Sequence, residues 1–261
     1  YKDSIGLNNP EIFKVMKAVG QAGGVVTIHA ELGDEIDELR NLLFMHGKTE
    51  PKFHPLSRLN EMEVVAVKQA IELAAKADCP LYIVHVSVKK SLKIIKKAQK
   101  KAQKVYAESC PHYLLLDDTK YSGNFSQTLK QKEIGLDDFR KIPNGAGGVE
   151  HRLALLYTYG VLKNKLSINK FVDLVSTQPA KIFGLYPRKG EIAVGADADI
   201  VIWDPTKKDI ISTKTHHQNC DINIFEGTHT TGAVEYVILN GEIAIENNKL
   251  IKKGKGRFLR R

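Results

Sequence analysis

Two short apolar runs, each closed by a histidine, constrain this chain more than anything else in it. Leu81-Tyr82-Ile83-Val84-His85-Val86-Ser87 follows Cys79-Pro80, and Val25-Val26-Thr27-Ile28-His29-Ala30-Glu31 follows Gly23-Gly24. Both runs are too short for a helix and rich in β-branched or aromatic residues, which is the pattern of a parallel strand buried on both faces. In a β/α sheet the C-terminal ends of the strands form one rim, and that rim carries the chemistry. Two neutral imidazoles converging there form a donor pair for a borderline metal such as zinc. The alternative is that each is a core histidine bonded to a backbone carbonyl.

The surrounding pattern places these strands between helices. Asn9 as cap, Pro10 at the first helical position and Glu11 in the first turn predict a helix over 8–22, stopped by Gly23-Gly24. Apolar periodicity predicts further helices over 34–46 and about 60–77, the latter after a loop holding Pro51, His54 and Pro55. The lysines between Lys89 and Lys104 alternate with Leu92, Ile94, Ile95, Ala98 and Ala102, as on an amphipathic helix with a solvated basic face. Val105-Tyr106-Ala107-Glu108-Ser109 reads as a third strand. Strand–helix alternation of this kind gives a parallel sheet with right-handed crossovers.

After Leu114-Leu115-Leu116-Asp117-Asp118, read as another strand end, the alternation stops. Residues 119–148 are polar and glycine-rich, with Lys141-Ile142-Pro143-Asn144-Gly145 as their distinctive loop. Helices are expected again at about 149–163 and 167–183, the second capped by Ser167 and kinked or restarted at Pro179. From Gly190 the pattern becomes β: a strand over 198–205, then a hairpin of residues 234–239 and 242–245 around Asn240-Gly241. The tail from Lys249 to Arg261 is basic and is expected to be extended.

Composition narrows the function. The chain is 43% hydrophobic and 26% charged with a net charge of +9, but the excess is diffuse and no aromatic residues interleave with the lysines, so nucleic acid is not expected as a partner. No apolar run reaches membrane-spanning length, no signal peptide is expected, and Cys79, Cys110 and Cys220 suggest no disulfide framework. A reducing, cytoplasmic setting is the expectation. Cys110 has no general base at recognisable spacing, which argues against a thiol nucleophile.

With those residues in hand, the chain resembles the cyclic amidohydrolases: hydantoinase, dihydropyrimidinase and the related allantoinase. The motifs are Val-x-x-His-Ala-Glu at 26–31, the run 81–87, Glu-Ser-Cys-Pro-His-Tyr-Leu-Leu-Leu-Asp at 108–117, Lys-Ile-Pro-Asn-Gly at 141–145, residues 179–190, and Gly-Ala-Asp-Ala-Asp-Ile-Val at 195–201. The loop 141–145 and the closing Gly256-Arg257-Phe258 favour hydantoinase and dihydropyrimidinase over allantoinase. The resemblance implies an α/β fold, a (β/α)8 TIM barrel of which this chain carries the fifth to seventh strands, with a small C-terminal β module. Residues 1–186 would be the partial barrel and 187–261 the module and tail.

The resemblance further implies two zinc ions per subunit, bridged by a carboxylated lysine, and a zinc-bound hydroxide that opens the ring of a hydantoin or dihydropyrimidine. His29 and His85 would be ligands of one zinc, Tyr1 the tyrosine that hydrogen-bonds the oxyanion, and Asn144 the residue whose backbone meets the ring amide. A small cyclic amide and further copies of the chain, as a dimer or tetramer, would be its partners. The bridging lysine falls before Tyr1, and the substrate serine and proton-shuttling aspartate fall between about Phe125 and Ser126; neither is in this chain, and a break in the backbone is expected near 124–127. A non-catalytic relative resembling the collapsin response mediators, acting in assembly, is the competing reading, although those relatives lack the ligand histidines and the asparagine present here. His112 is read as a residue behind the site, His216-His217 as structural, and His46, His54, His151 and His229 as surface or loop residues.

Overall fold

The computed structural model describes residues 6–122, 130–252, 256 and 258–259. Tyr1 and the join expected to be broken near 124–127 lie outside the described residues. By contacts the chain separates into two compact units, Tyr1–Gly145 and Ala146–Arg261.

The first unit is built on a three-stranded parallel sheet in the order β1-β2-β3, formed by β1 (Val26–Ile28), β2 (Leu81–Ile83) and β3 (Val105–Ala107). Val26 pairs with Leu81 and Leu81 with Val105. The pairing covers three residues in each strand, so both histidines lie just beyond it. Helix α1 (Asn9–Gln21) precedes β1; α2 (Gly33–Met45) and α3 (Asn60–Lys76) come between β1 and β2; α4 (Lys89–Lys100) joins β2 to β3. Met16 of α1, Val67 of α3 and Leu81 of β2 are wholly buried and share one core with Ile83, Ile95 and Val105.

The start of α1 differs by one residue from the sequence expectation. Asn8, not Asn9, is the cap: its Oδ1 accepts from Glu11 N while the Glu11 carboxylate accepts from Asn8 N, a reciprocal capping box. Asn9 and Pro10 therefore both fall inside the first turn. The stretch Leu114–Asp118 is not a strand end either. Pro111, with its φ preset, starts a short helix α5 (Pro111–Leu115), and Leu114 is exposed.

The second unit joins helical segments to a four-stranded antiparallel sheet in the order β4-β5-β6-β7: Ile200–Ile210, His229–Leu239, Glu242–Glu246 and Lys249–Leu250. The sequence changes to a β pattern only from Gly190, and the helical residues 152–182 fall in the same compact unit as this sheet; Thr158 Oγ1, for example, donates to Thr231 O. Asn240 and Gly241 take φ of 51° and 81°, the left-handed pair that a tight hairpin requires. Helices α6 (Arg152–Leu156) and α7 (Ile168–Val172) each run on into a π-helical turn, and α8 (Gln178–Ile182) follows the second.

Candidate metal centre

The register of β1 and β2 makes a definite demand on the two histidines. Ile28 pairs with Ile83, so a continued pleat would set His29 beside Val84 and His85 beside Ala30. The two imidazoles would then point to opposite faces. His85 escapes this because its φ is +44°. The left-handed residue breaks the alternation, while Val84 N still bonds Ile28 O and Val86 N bonds Glu108 O on either side of it. As a result His29 Nδ1 and His85 Nε2 stand 2.6 Å apart, with ring centroids 4.7 Å apart.

Glu31, two residues after His29, completes the cluster. Its Oε1 is 3.9 Å from His85 Nε2, and one ligand atom from each of His29, Glu31 and His85 lies within 4.8 Å of the others. Among the described residues this is the one group of three or more such donors so arranged. Zinc–nitrogen bonds of about 2.0–2.1 Å at a tetrahedral angle set two ligand nitrogens about 3.3 Å apart. The present pair is closer, at hydrogen-bond distance, and needs to open by less than ~1 Å to take an ion. Two imidazoles and a carboxylate are a donor set that suits zinc.

Asn144 is exposed, and its Oδ1 is 3.3 Å from His54 Nε2. Arg58 Nη1 is likewise 3.3 Å from His54 Nε2, and Arg58 Nε is 3.6 Å from Glu31 Oε2. A row of polar contacts therefore runs from the 141–145 loop through His54, Arg58 and Glu31 to His85. The His54 ring stacks on Tyr121 and stands edge-on to Phe139. From the sequence His54 reads as a surface or loop residue, Glu31 only as the end of the 26–31 motif, and Arg58 carries no signal; the short spacing of Glu31 from His29 is the one feature that points to a place in this cluster.

The loop is anchored at its start. Asp138 accepts from Arg140 N, Nε and Nη2, and Arg140 lies over the Phe44 ring at 3.5 Å. The Arg140 guanidinium holds the Asp138 carboxyl below the usual carboxylate range.

Burial lowers the His112 pKa, and the neighbouring His85 adds to the effect, so this imidazole favours its neutral form. Burial, then the Glu108 carboxylate, pushes the Cys110 thiol up, which disfavours the nucleophilic thiolate. His216 and His217 are in the second unit: His216 Nε2 pairs with Cys220 O at 2.9 Å and His217 Nδ1 with Glu150 Oε1 at 2.8 Å. No helix among the described residues is long and apolar enough to cross a membrane.

Known proteins share this arrangement of sequence and backbone. The chain is 37% identical to the D-hydantoinase of Geobacillus stearothermophilus over 301 aligned positions, which take in all of this chain and 64% of that protein. It is 36% identical to the dihydropyrimidinase of Rattus norvegicus, covering all of this chain and 58% of that one. The crystal structure of the dihydropyrimidinase from Brevibacillus agri superimposes with a TM-score of 0.92 at 36% identity, over 96% of this chain and 63% of the other. The chain thus spans about two thirds or less of the length of these relatives, and an alignment of 301 positions against 261 residues leaves internal stretches of the relative unmatched. The fold is that of the TIM-barrel amidohydrolases, of which the described residues carry three parallel strands. With the profile of the amidohydrolase family matching residues 3–244, this chain belongs to that family.

Proposed function

We propose that the protein is a metal-dependent hydrolase that opens the ring of a cyclic amide, a hydantoin or a dihydropyrimidine. The observation that carries the reading is the convergence of His29, Glu31 and His85 at the exits of two adjacent parallel strands. His29 and His85 would hold a zinc ion through Nδ1 and Nε2, with the Glu31 carboxylate as a third donor. A zinc ion held there supplies a Lewis acid and lowers the pKa of its water to about 7. The Glu31 carboxylate, tied to Arg58, fixes charge beside His85. Asn144, in the 141–145 loop, would meet the ring amide. Tyr1 would hydrogen-bond the developing oxyanion. Two zinc ions per subunit, a homo-oligomeric state and a cytoplasmic setting belong to the same proposal. The D-hydantoinases and dihydropyrimidinases among its relatives support the substrate class.

The test is substrate profiling of the complete protein on hydantoin, dihydrouracil and allantoin, before and after treatment with a chelator. Ring opening of hydantoin or dihydrouracil that a chelator removes and zinc restores is the expected result. Absence of hydrolysis together with absence of bound metal would reject the enzyme and favour the assembly reading.

A further inference from the structure

The left-handed backbone at His85 has to be held. A non-glycine residue at positive φ is strained and persists where its surroundings over-determine it. The sheet holds both flanks of His85, through Val84 N on Ile28 O and Val86 N on Glu108 O. Just beyond Val86 the chain enters α4, whose N-terminus lacks a cap of its own. Val88 sits at the cap position with no side-chain acceptor, and the first turn brings Lys89 and Lys90 rather than acidic residues. The orphan N–H groups of a helix start need an acceptor, and one is supplied from α3.

Glu63 supplies it. Its Oε2 accepts from Ser87 N at 3.0 Å and Ser87 Oγ at 2.6 Å; its Oε1 accepts from Val88 N at 3.0 Å and from Ser91 Oγ at 2.7 Å. Ser91 is wholly buried. One carboxylate thus takes four hydrogen bonds, three of them from the two residues at positions 87 and 88. Bonds to an ionised acceptor are roughly twice as strong as neutral ones.

We propose that Glu63 is a positioning residue: it clamps the chain just past His85 and so holds that imidazole against His29. The inference rests on the reading of His29 and His85 as the metal-facing pair, but the four hydrogen bonds to Glu63 stand independently of it. Freed from the clamp, residues 85–88 relax towards the extended backbone that the β2 pleat favours, and the ring swings away from His29.

Glu63→Gln and Ser91→Ala separate this role from plain helix capping. Glu63→Gln keeps one oxygen acceptor and loses the other; Ser91→Ala removes the bond to the helix side and spares those at 87 and 88. In the metal-free full chain, histidine-ring NMR signals of His29 and His85 are expected to shift in Glu63→Gln and to stay in place in Ser91→Ala. Zinc affinity, read by competition with a chromophoric chelator, is expected to fall about tenfold to a hundredfold in Glu63→Gln and less than about twofold in Ser91→Ala. Should Glu63→Gln not fold, Ser87→Ala carries the same expectation. Unmoved ring signals in folded Glu63→Gln, or equal shifts in Ser91→Ala, would overturn the clamp. Failure of the wild-type chain to bind zinc would reject the metal reading alone, since the ring signals judge the clamp without metal.

Discussion

At the scale of single residues, His85 carries the most information. Its φ of +44° decides which face its imidazole takes, and substitution there separates backbone from chemistry. Asparagine tolerates the left-handed region, whereas a β-branched residue is a genuine outlier in it. His85→Asn should therefore unfold at nearly the wild-type urea midpoint, and His85→Val should lose about 1–3 kcal/mol more; equal stability of the two would contradict a strained His85. Asp138 is a second decisive residue. It is 6% exposed and bonded three times to Arg140. Its folded pKa is depressed, so its contribution is complete above the ordinary carboxylate value and disappears as pH falls through the folded one. Asp138→Asn should cost roughly 2–3 kcal/mol at neutral pH, a deficit that shrinks below about pH 4. Urea unfolding at both pH values checks it, and a deficit constant with pH would exclude the ion pair as its source.

At the scale of elements, sequence periodicity located the three parallel strands and the helices around them, α5 excepted, because each follows from local pattern: apolar residues at helical spacing, short β-branched runs, a proline or glycine at the ends. What it could not locate depends on partners far along the chain. The cap of α4 comes from Glu63 on another helix, and the meeting of His29 with His85 depends on a register and a dihedral that no local pattern encodes. The π-helical turns are a further case. Pro179 marked a kink, but not that Gln178 N would bond Asp173 O in the turn just before it. Gly232 in β5 is similar, with a φ of +91° and an added Cβ placed 2.6 Å from Tyr157 Cδ1 and 2.8 Å from Trp203 Cζ2. Tyr157 and Trp203 meet edge to face at 5.4 Å, and the glycine lets the strand backbone come in close against both. Gly232→Ala is expected to destabilise the second unit by about 2–4 kcal/mol through strain and overpacking. Thermal unfolding measures this, and a loss under ~0.5 kcal/mol, the range of ordinary surface changes, would show that the close approach is dispensable.

At the scale of the whole molecule, the family was legible from motifs spread along nearly the entire chain. The function depends on a much smaller set of atoms. Three donors from two strand exits converge, and one row of polar contacts ties them to the loop that ends in Asn144-Gly145. The lysine-rich helix α4 is tied to α3 at its start, where Val88 N and Ser91 Oγ donate to Glu63. Membership of the amidohydrolase family agrees with a centre of this kind, and the central claim is that His29, Glu31 and His85 form it. Equilibrium dialysis of the protein against zinc, for wild type and for His29→Ala, Glu31→Gln and His85→Asn, tests that claim most directly. Saturable zinc binding by the wild type, weakened at least about tenfold in each variant, is the predicted result; binding that the three substitutions leave unchanged, or none in the wild type, would contradict it.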